Sequence, residues 1–179
     1  GGREVLDHGH SVCYCRVQRP KNSVNNKRIR SLDGERIAVI GAAASGKAAA
    51  RLALERGGSV HVSDLRSDSA AHACGDELRA LGIEVDLGEH PMDRIARADT
   101  VVVSPGIPPD AQVLKRLNER GVRWISEPEF AFRFFHGPLI AVTGTNGKTT
   151  TAVLLAHLLE EDGIDVALGG NIGAAFGPP

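Results

Sequence analysis

The chain has 179 residues, a formal net charge of −1, 24% charged residues and 42% hydrophobic ones, the make-up of a soluble folded protein. It lacks the basic excess that grips a phosphodiester backbone, so no nucleic-acid partner is expected, and no apolar run is long enough for a membrane span. Three cysteines, Cys13, Cys15 and Cys74, are too few for a disulfide framework, and with no secretory signal in view they fit a reducing, cytoplasmic setting.

Residues 1–32 are basic, polar and aperiodic, and are expected to form a disordered leader. Position 1 is not Met, so the given start need not be the natural one. His8, His10, Cys13 and Cys15 are zinc-ligating types, but H-x-H with C-x-C is not a familiar zinc spacing, and a solvated tail is the expected reading.

From Asp33 the pattern becomes regular. RIAVIG (36–41) reads as a buried strand, SGKAAARLALERG (45–57) as an Ala-rich helix ended by glycine, and SVHVSD (59–64) as a second strand ending on Asp64. A helix over 70–82 and strands over 83–88 and 98–103 follow. The strand at 98–103 is broken by Ser104-Pro105-Gly106. An amphipathic helix over 110–121, a strand over 122–126 and a short helix over 127–135 complete the unit. Strands alternating with helices at this spacing predict a Rossmann-like parallel sheet with helices on both faces and a ligand at the carboxyl ends of the strands. Gly41, Asp64 and Ser104–Gly106 fall at those ends.

Gly137-Pro138 then punctuates the chain. A second unit follows, with a strand over 139–144, a glycine loop, a helix over about 148–162 and the start of another strand at 165. Val153, Leu154, Leu155, Leu158 and Leu159 cover a broad face of that helix, which predicts its burial. The domains expected are a leader at 1–32, a Rossmann-like unit at 33–136 and, at 137–179, the truncated start of a P-loop ATPase-like α/β unit.

Two loops carry chemistry. GAAASG (41–46) opens a helix after a strand, as a dinucleotide fingerprint does, but its middle glycine is Ala43. The helix start still offers free N–H groups to an anion, Ser45 can cap the helix or donate to a phosphate, and Asp64 stands near the offset at which an acid meets a ribose. TGTNGKTTT (143–151) is more specific. Gly144 and Gly147 free the backbone to curl round phosphate oxygens, Lys148 brings positive charge to the β/γ-phosphates, and Thr149 or Thr150 offers a hydroxyl to Mg²⁺. Thr145 and Asn146 complete the loop; its spacing is G-x-x-G-K-T. The four Phe residues at 130–135 and Trp124 are read as packing groups, Cys74 as a small hydrophobe, and His61 and His136 as lacking an evident acid/base partner.

TGTNGKTTT, GGNIG (169–173) and SPGIP (104–108), together with GAAASG, SDLR (63–66) and ISEPEFAFRF (125–134), resemble the Mur ligase family in order and spacing, and most of all its D-glutamate-adding type. The resemblance implies an ATP-dependent carboxylate–amine ligase of peptidoglycan precursor synthesis. Its substrates would be UDP-N-acetylmuramoyl-L-alanine and D-glutamate, with ATP and Mg²⁺, and its product would form through an acyl phosphate. It places Ala44, Ser45, Asp64, Arg66 and Gly106 around the UDP group and Asn171 on the sugar-nucleotide. It places Gly144, Thr145, Asn146, Gly147, Lys148, Thr149 and Thr150 around ATP, with Lys148 and Thr149 catalytic and Thr149 on the metal. The family's remaining metal ligands and its third domain would lie beyond residue 179, so the chain alone is expected to be inactive. Two other readings are a ligase adding a different amino acid, and a non-catalytic nucleotide- or NAD-binding module.

Overall fold

The computed structural model describes residues 13–18, 30–135 and 138–170, the first of these as backbone. They fall into two compact units, one holding 30–135 and the other 13–18 with 138–170.

The larger unit is built on a five-stranded parallel sheet. The elements of the chain, in order, are β1 (Cys13–Gln18), β2 (Arg36–Ile40), α1 (Ala44–Glu55), β3 (Ser59–Asp64), α2 (Ser69–Ala80), β4 (Glu84–Leu87), α3 (Met92–Ile95), β5 (Thr100–Val103), α4 (Gln112–Glu119), β6 (Trp124–Ser126) and α5 (Glu127–Phe132). Three more follow: β7 (Leu139–Val142), α6 (Lys148–Glu161) and β8 (Asp165–Gly170). The large sheet runs β4-β3-β2-β5-β6, so the chain reverses direction of growth at β2, between β3 and β5. That switch opens a crevice at the carboxyl edge, where an open α/β sheet binds ligands.

Alternation along each strand divides the core in two. Val39, Val62 and Val102 pack with Ala49, Ala50, Leu52 and Ala53 of α1, Leu78 of α2, and Phe130 and Phe134 of the α5 segment. Their neighbours Ile40 and Val103 pack on the opposite face with Ile95 of α3 and with Val113, Leu114 and Leu117 of α4. A strand buried on both sides has no polar face, which is why RIAVI and TVVV read as continuous apolar runs. Each such fully buried side chain contributes on the order of 1.5–3 kcal/mol. Phe130 and Phe134 meet edge to face with centroids 5.1 Å apart, locking α5 to α1. The expected packing role of these aromatics stands.

The smaller unit is a three-stranded sheet in the order β7-β1-β8, with β1 antiparallel to both neighbours, and α6 crosses between β7 and β8. Two expectations are corrected here. Residues 13–18, expected in a disordered leader, form the central strand of this sheet. Their sequence alternates Cys13, Cys15 and Val17 with Tyr14, Arg16 and Gln18, a period of two too short to stand out from the surrounding polar residues. The helix face expected to be buried is largely exposed: Ala152 and Ala156 are buried, whereas Val153, Leu154 and Leu158 are 45%, 56% and 54% exposed. The three-stranded sheet covers only the small-residue stripe of α6. His8 and His10 lie outside the described residues, as do His136 and Gly137. Among the described residues no helix is long and apolar enough to cross a membrane.

Close approach of α1 to the end of β2 fixes the central turn. A Cβ on Gly46 would intrude on the Gly41 carbonyl oxygen and sit 2.7 Å from Ser104 Oγ. By contrast, a Cβ on Gly106 meets nothing within 4 Å, and Gly106 does not adopt the positive φ its sequence context allows. Gly46→Ala is therefore expected to cost at least ~2 kcal/mol in chemical denaturation, and Gly106→Ala no more than about 0.5 kcal/mol.

Candidate nucleotide site

The carboxyl edge of the large sheet is held together by one carboxylate. Asp64, 5% exposed at the end of β3, accepts a hydrogen bond at Oδ2 from the Ala42 amide, 2.8 Å away, across the β2–α1 turn. Arg66 closes the other side, donating its own amide to Oδ1 (2.9 Å), Nε to Oδ1 (3.2 Å) and a terminal nitrogen to Oδ2 (2.8 Å). The Gly41 amide donates to the Ser63 carbonyl (2.7 Å), and the Gly88 amide to the Asp64 carbonyl (2.8 Å). Burial raises the Asp64 carboxyl, but the Arg66 guanidinium and the amides of Ala42 and Arg66 outweigh it and hold the acid below its ordinary value. Asp64 is thus engaged with its own backbone before any ligand arrives. Its first role is to shape the turn, while the half-exposed Arg66 guanidinium remains within reach of solvent and ligand.

The turn delivers a helix start. Ala43 is the N-cap of α1 and makes no side-chain cap bond, so Ala44, Ser45 and Gly46 occupy the first turn. Of the two roles the sequence left open for Ser45, capping falls away, because Ala43 holds the cap position. Among the described residues their amides have no backbone acceptor, and Ala43 and Ala44 are exposed with Ser45 half-buried beside them. Free amides, the positive end of the helix dipole and a serine hydroxyl make a site for an anion.

Ser104 and Glu127 join this edge from the two strands beyond. Ser104, 5% exposed, directs its hydroxyl to the Gly41 carbonyl at 3.4 Å. Glu127, also 5% exposed, begins α5 directly after β6, and its Oε1 is buried without a partner. Burial pushes its carboxyl up to about 7. Sequence reasoning passed over Glu127 because EPEF reads as an ordinary helix start; its signal was an acid placed at the carboxyl end of a strand. On the other face of the sheet His61 pairs with Asp86 (2.9 Å) and Ser63 with His90 (2.9 Å). So His61 does have an acidic partner, supplied by β4, 25 residues further on.

The second loop is a separate site in the smaller unit. Gly147 adopts a left-handed conformation (φ 76°) as the N-cap of α6, a geometry that favours glycine and turns the loop into the helix. Lys148 folds its ammonium over the loop, donating to the carbonyls of Gly144 (2.6 Å) and Thr145 (3.3 Å). Thr145, Asn146, Thr149 and Thr150 are exposed round it. No cluster of three or more His, Cys, Asp or Glu residues able to hold a metal exists among the described residues. Asn171 lies outside the described residues.

Titration separates the two buried acids. Asp64 is depressed in the native state, so its contribution is complete above its ordinary value of 3.8 and is lost as pH falls through the native value. Asp64→Asn should cost ~2 kcal/mol at pH 7, mostly through the buried amide bond, since the Arg66 pair is screened by solvent. The gap from wild type should narrow in acid-denaturation series. Glu127 has the opposite sign. Its native value lies above the ordinary 4.5, so wild-type stability is lost as pH rises from about 4.5 to about 7. Glu127→Gln should match wild type at pH 5 and exceed it by ~1–3 kcal/mol at pH 8 in denaturant melts.

Residues 35–126, 92 of the 179, match the family described as Mur ligase MurD-like, N-terminal domain. A UDP-N-acetylmuramoylalanine--D-glutamate ligase of Desulfatibacillum aliphaticivorans is 44% identical over 142 residues, covering 79% of this chain and 32% of the relative. One of Desulfovibrio desulfuricans is 46% identical over 143 residues, covering 78% and 33%. A solved pseudomurein peptide ligase type C from Methanothermus fervidus aligns at 30% identity with a TM-score of 0.49, covering 72% of this chain and 26% of that one. The chain spans about a third of the length of the curated relatives it matches. An engaged acid after the second parallel strand and a free helix start after the first lie within the matched residues, and the chain belongs to the Mur ligase family through a MurD-like N-terminal domain.

Proposed function

We propose that the whole protein joins D-glutamate to UDP-N-acetylmuramoyl-L-alanine at the expense of ATP, in the synthesis of a peptidoglycan precursor. The observation that carries this reading is the pairing in one chain of a MurD-like N-terminal domain with a phosphate loop whose ammonium is already drawn over its own carbonyls. The names of the relatives support the choice of substrate. A cytoplasmic location follows from the reading, since its nucleotide substrates are cytoplasmic.

In the larger unit, the first-turn amides of Ala44 and Ser45 would receive the diphosphate of the UDP group. Arg66 would lie by the uracil, and Gly106, with open space where a Cβ would stand, would line the same pocket. Ala43 occupies the place of the glycine that lets a dinucleotide pyrophosphate touch the backbone, which disfavours NAD. Asn171 would reach the sugar-nucleotide.

In the smaller unit, loop amides from Gly144, Thr145, Asn146 and Gly147, with the start of α6, fit a triphosphate. Thr150 lines the same turn, and Lys148 would exchange the Gly144 carbonyl for phosphate oxygens. Mg²⁺ would bridge the phosphates, with Thr149 as one protein ligand. ATP supplies the γ-phosphoryl group. The alanyl carboxylate accepts it, releasing ADP and giving an acyl phosphate, and the amine of D-glutamate then displaces inorganic phosphate to form the amide. What these residues do is neutralise and position charge.

Calorimetry on the 179-residue chain tests the two sites separately. UDP is expected to bind and NAD to give no heat; the reverse would remove the UDP assignment. Lys148→Ala is expected to weaken ATP binding roughly ten- to hundredfold, the worth of a charge-assisted contact, with UDP affinity unchanged.

A further inference from the structure

Strand register places four residues in one row at the carboxyl edge. The last paired positions are Ile40 with Ser63, Ile40 with Val103, and Val103 with Ser126. One residue further along each strand stand Asp64, Gly41, Ser104 and Glu127, from β3, β2, β5 and β6 in spatial order. All four are buried. By alternation they share the face of Val39, Val62, Val102 and Ile125, which is the face covered by α1 and α5. The row therefore runs directly under the start of α1.

Three members of the row are accounted for. Asp64 takes the Ala42 amide and Arg66, Gly41 admits the helix, and Ser104 donates to Gly41. Glu127 alone has a buried oxygen with no donor. A buried polar atom left unpaired costs about 1–3 kcal/mol and calls for an explanation. The elements packed against α5 supply no partner. β5 and β6 carry no titratable side chain; Lys47 and Arg51 of α1 are turned to Glu77; Glu55 is exposed; and Arg56 lies over the Phe134 ring. On α5 itself Glu129 is exposed, and Arg133 follows the helix without reaching Glu127. Neighbouring strands are spaced ~4.8 Å apart, so Glu127 stands roughly 10 Å from Gly41, with Ser104 of β5 between them in the row beneath the start of α1.

We propose that Glu127 is a further ligand-binding residue of this site, donating as a carboxylic acid to an oxygen of the diphosphate that the α1 amides hold. This rests on the reading of the larger unit as a UDP-sugar site. A diphosphate repels a carboxylate and accepts from an acid, so the ionised fraction of Glu127 must take a proton from solvent when the ligand binds. Binding and proton uptake become one event.

The probe is UDP-N-acetylglucosamine, whose phosphates are diesters and do not titrate near neutrality. Calorimetry of the 179-residue chain in two buffers of different ionisation enthalpy reads proton uptake directly, with no variant needed. Net uptake at pH 7.5 is expected, with affinity about fivefold weaker at pH 8 than at pH 6. Glu127→Gln, which keeps a donor at the same place, should bind without proton uptake and with equal affinity at both pH values. Binding without proton uptake by the wild type, or a pH dependence that survives in Glu127→Gln, would overturn the role of Glu127 and leave the UDP site standing. No binding at all by the wild type would overturn both.

Discussion

The larger unit depends on the hydrogen bond between the Asp64 carboxylate and the Ala42 amide. It joins the ends of two parallel strands that share no further backbone pairing beyond that point. With it in place the β2–α1 turn is narrow, Gly46 lies against the Gly41 carbonyl, and α1 starts at Ala44 with no side-chain cap on its first turn. The acid is buried, yet its four accepted bonds keep it ionised. A buried carboxylate is tolerable only when its lone pairs are filled in this way. Glu127, three strands over and with one oxygen unpartnered among the described residues, shows the contrary outcome in the same row.

In the proposed function both loops would serve phosphate, and they are built for it differently. The α1 turn offers neutral amides and a distant guanidinium, suited to a diphosphate that must be recognised and later released. The α6 loop places an ammonium on its own carbonyls, so the cation is already oriented and only has to change acceptors. Orientation in advance lowers the cost of gathering charge in the reacting complex. The division matches the proposed chemistry, in which one nucleotide is a handle and the other a phosphoryl donor.

Much of the parallel sheet was legible because its strands are buried on both faces. RIAVI and TVVV are largely apolar runs whose length separates them from helices, and SVHVSD is a short run between glycine and the Asp64 carboxylate. The short α3 was not foreseen, since four residues do not establish a period, and neither was β1, whose alternation is lost among polar neighbours. The glycine loop at 143–151 stands out in local sequence, because glycine and lysine fall at fixed offsets before a helix, and Ser104 was placed with Gly41 and Asp64 at the strand ends. Glu127 was not, because its meaning comes from strand order: it joins Ser104 and Gly41 only when β5 and β6 are laid beside β2. The pairing of His61 with Asp86 was hidden for the same reason. The offset that drew attention to Asp64 does not reveal that the amides of Ala42 and Arg66 already bond to the acid.

The central claim is that the first turn of α1, braced by Asp64, is where a nucleoside diphosphate is held. Backbone amide chemical shifts of the ¹⁵N-labelled chain, followed as UDP-N-acetylglucosamine is added, test it residue by residue. The account predicts saturable shifts at Ala44, Ser45 and Gly46, with smaller ones at Arg66. Shifts confined to the opposite face of the sheet, on α3 and α4, with the α1 amides unmoved, would contradict it.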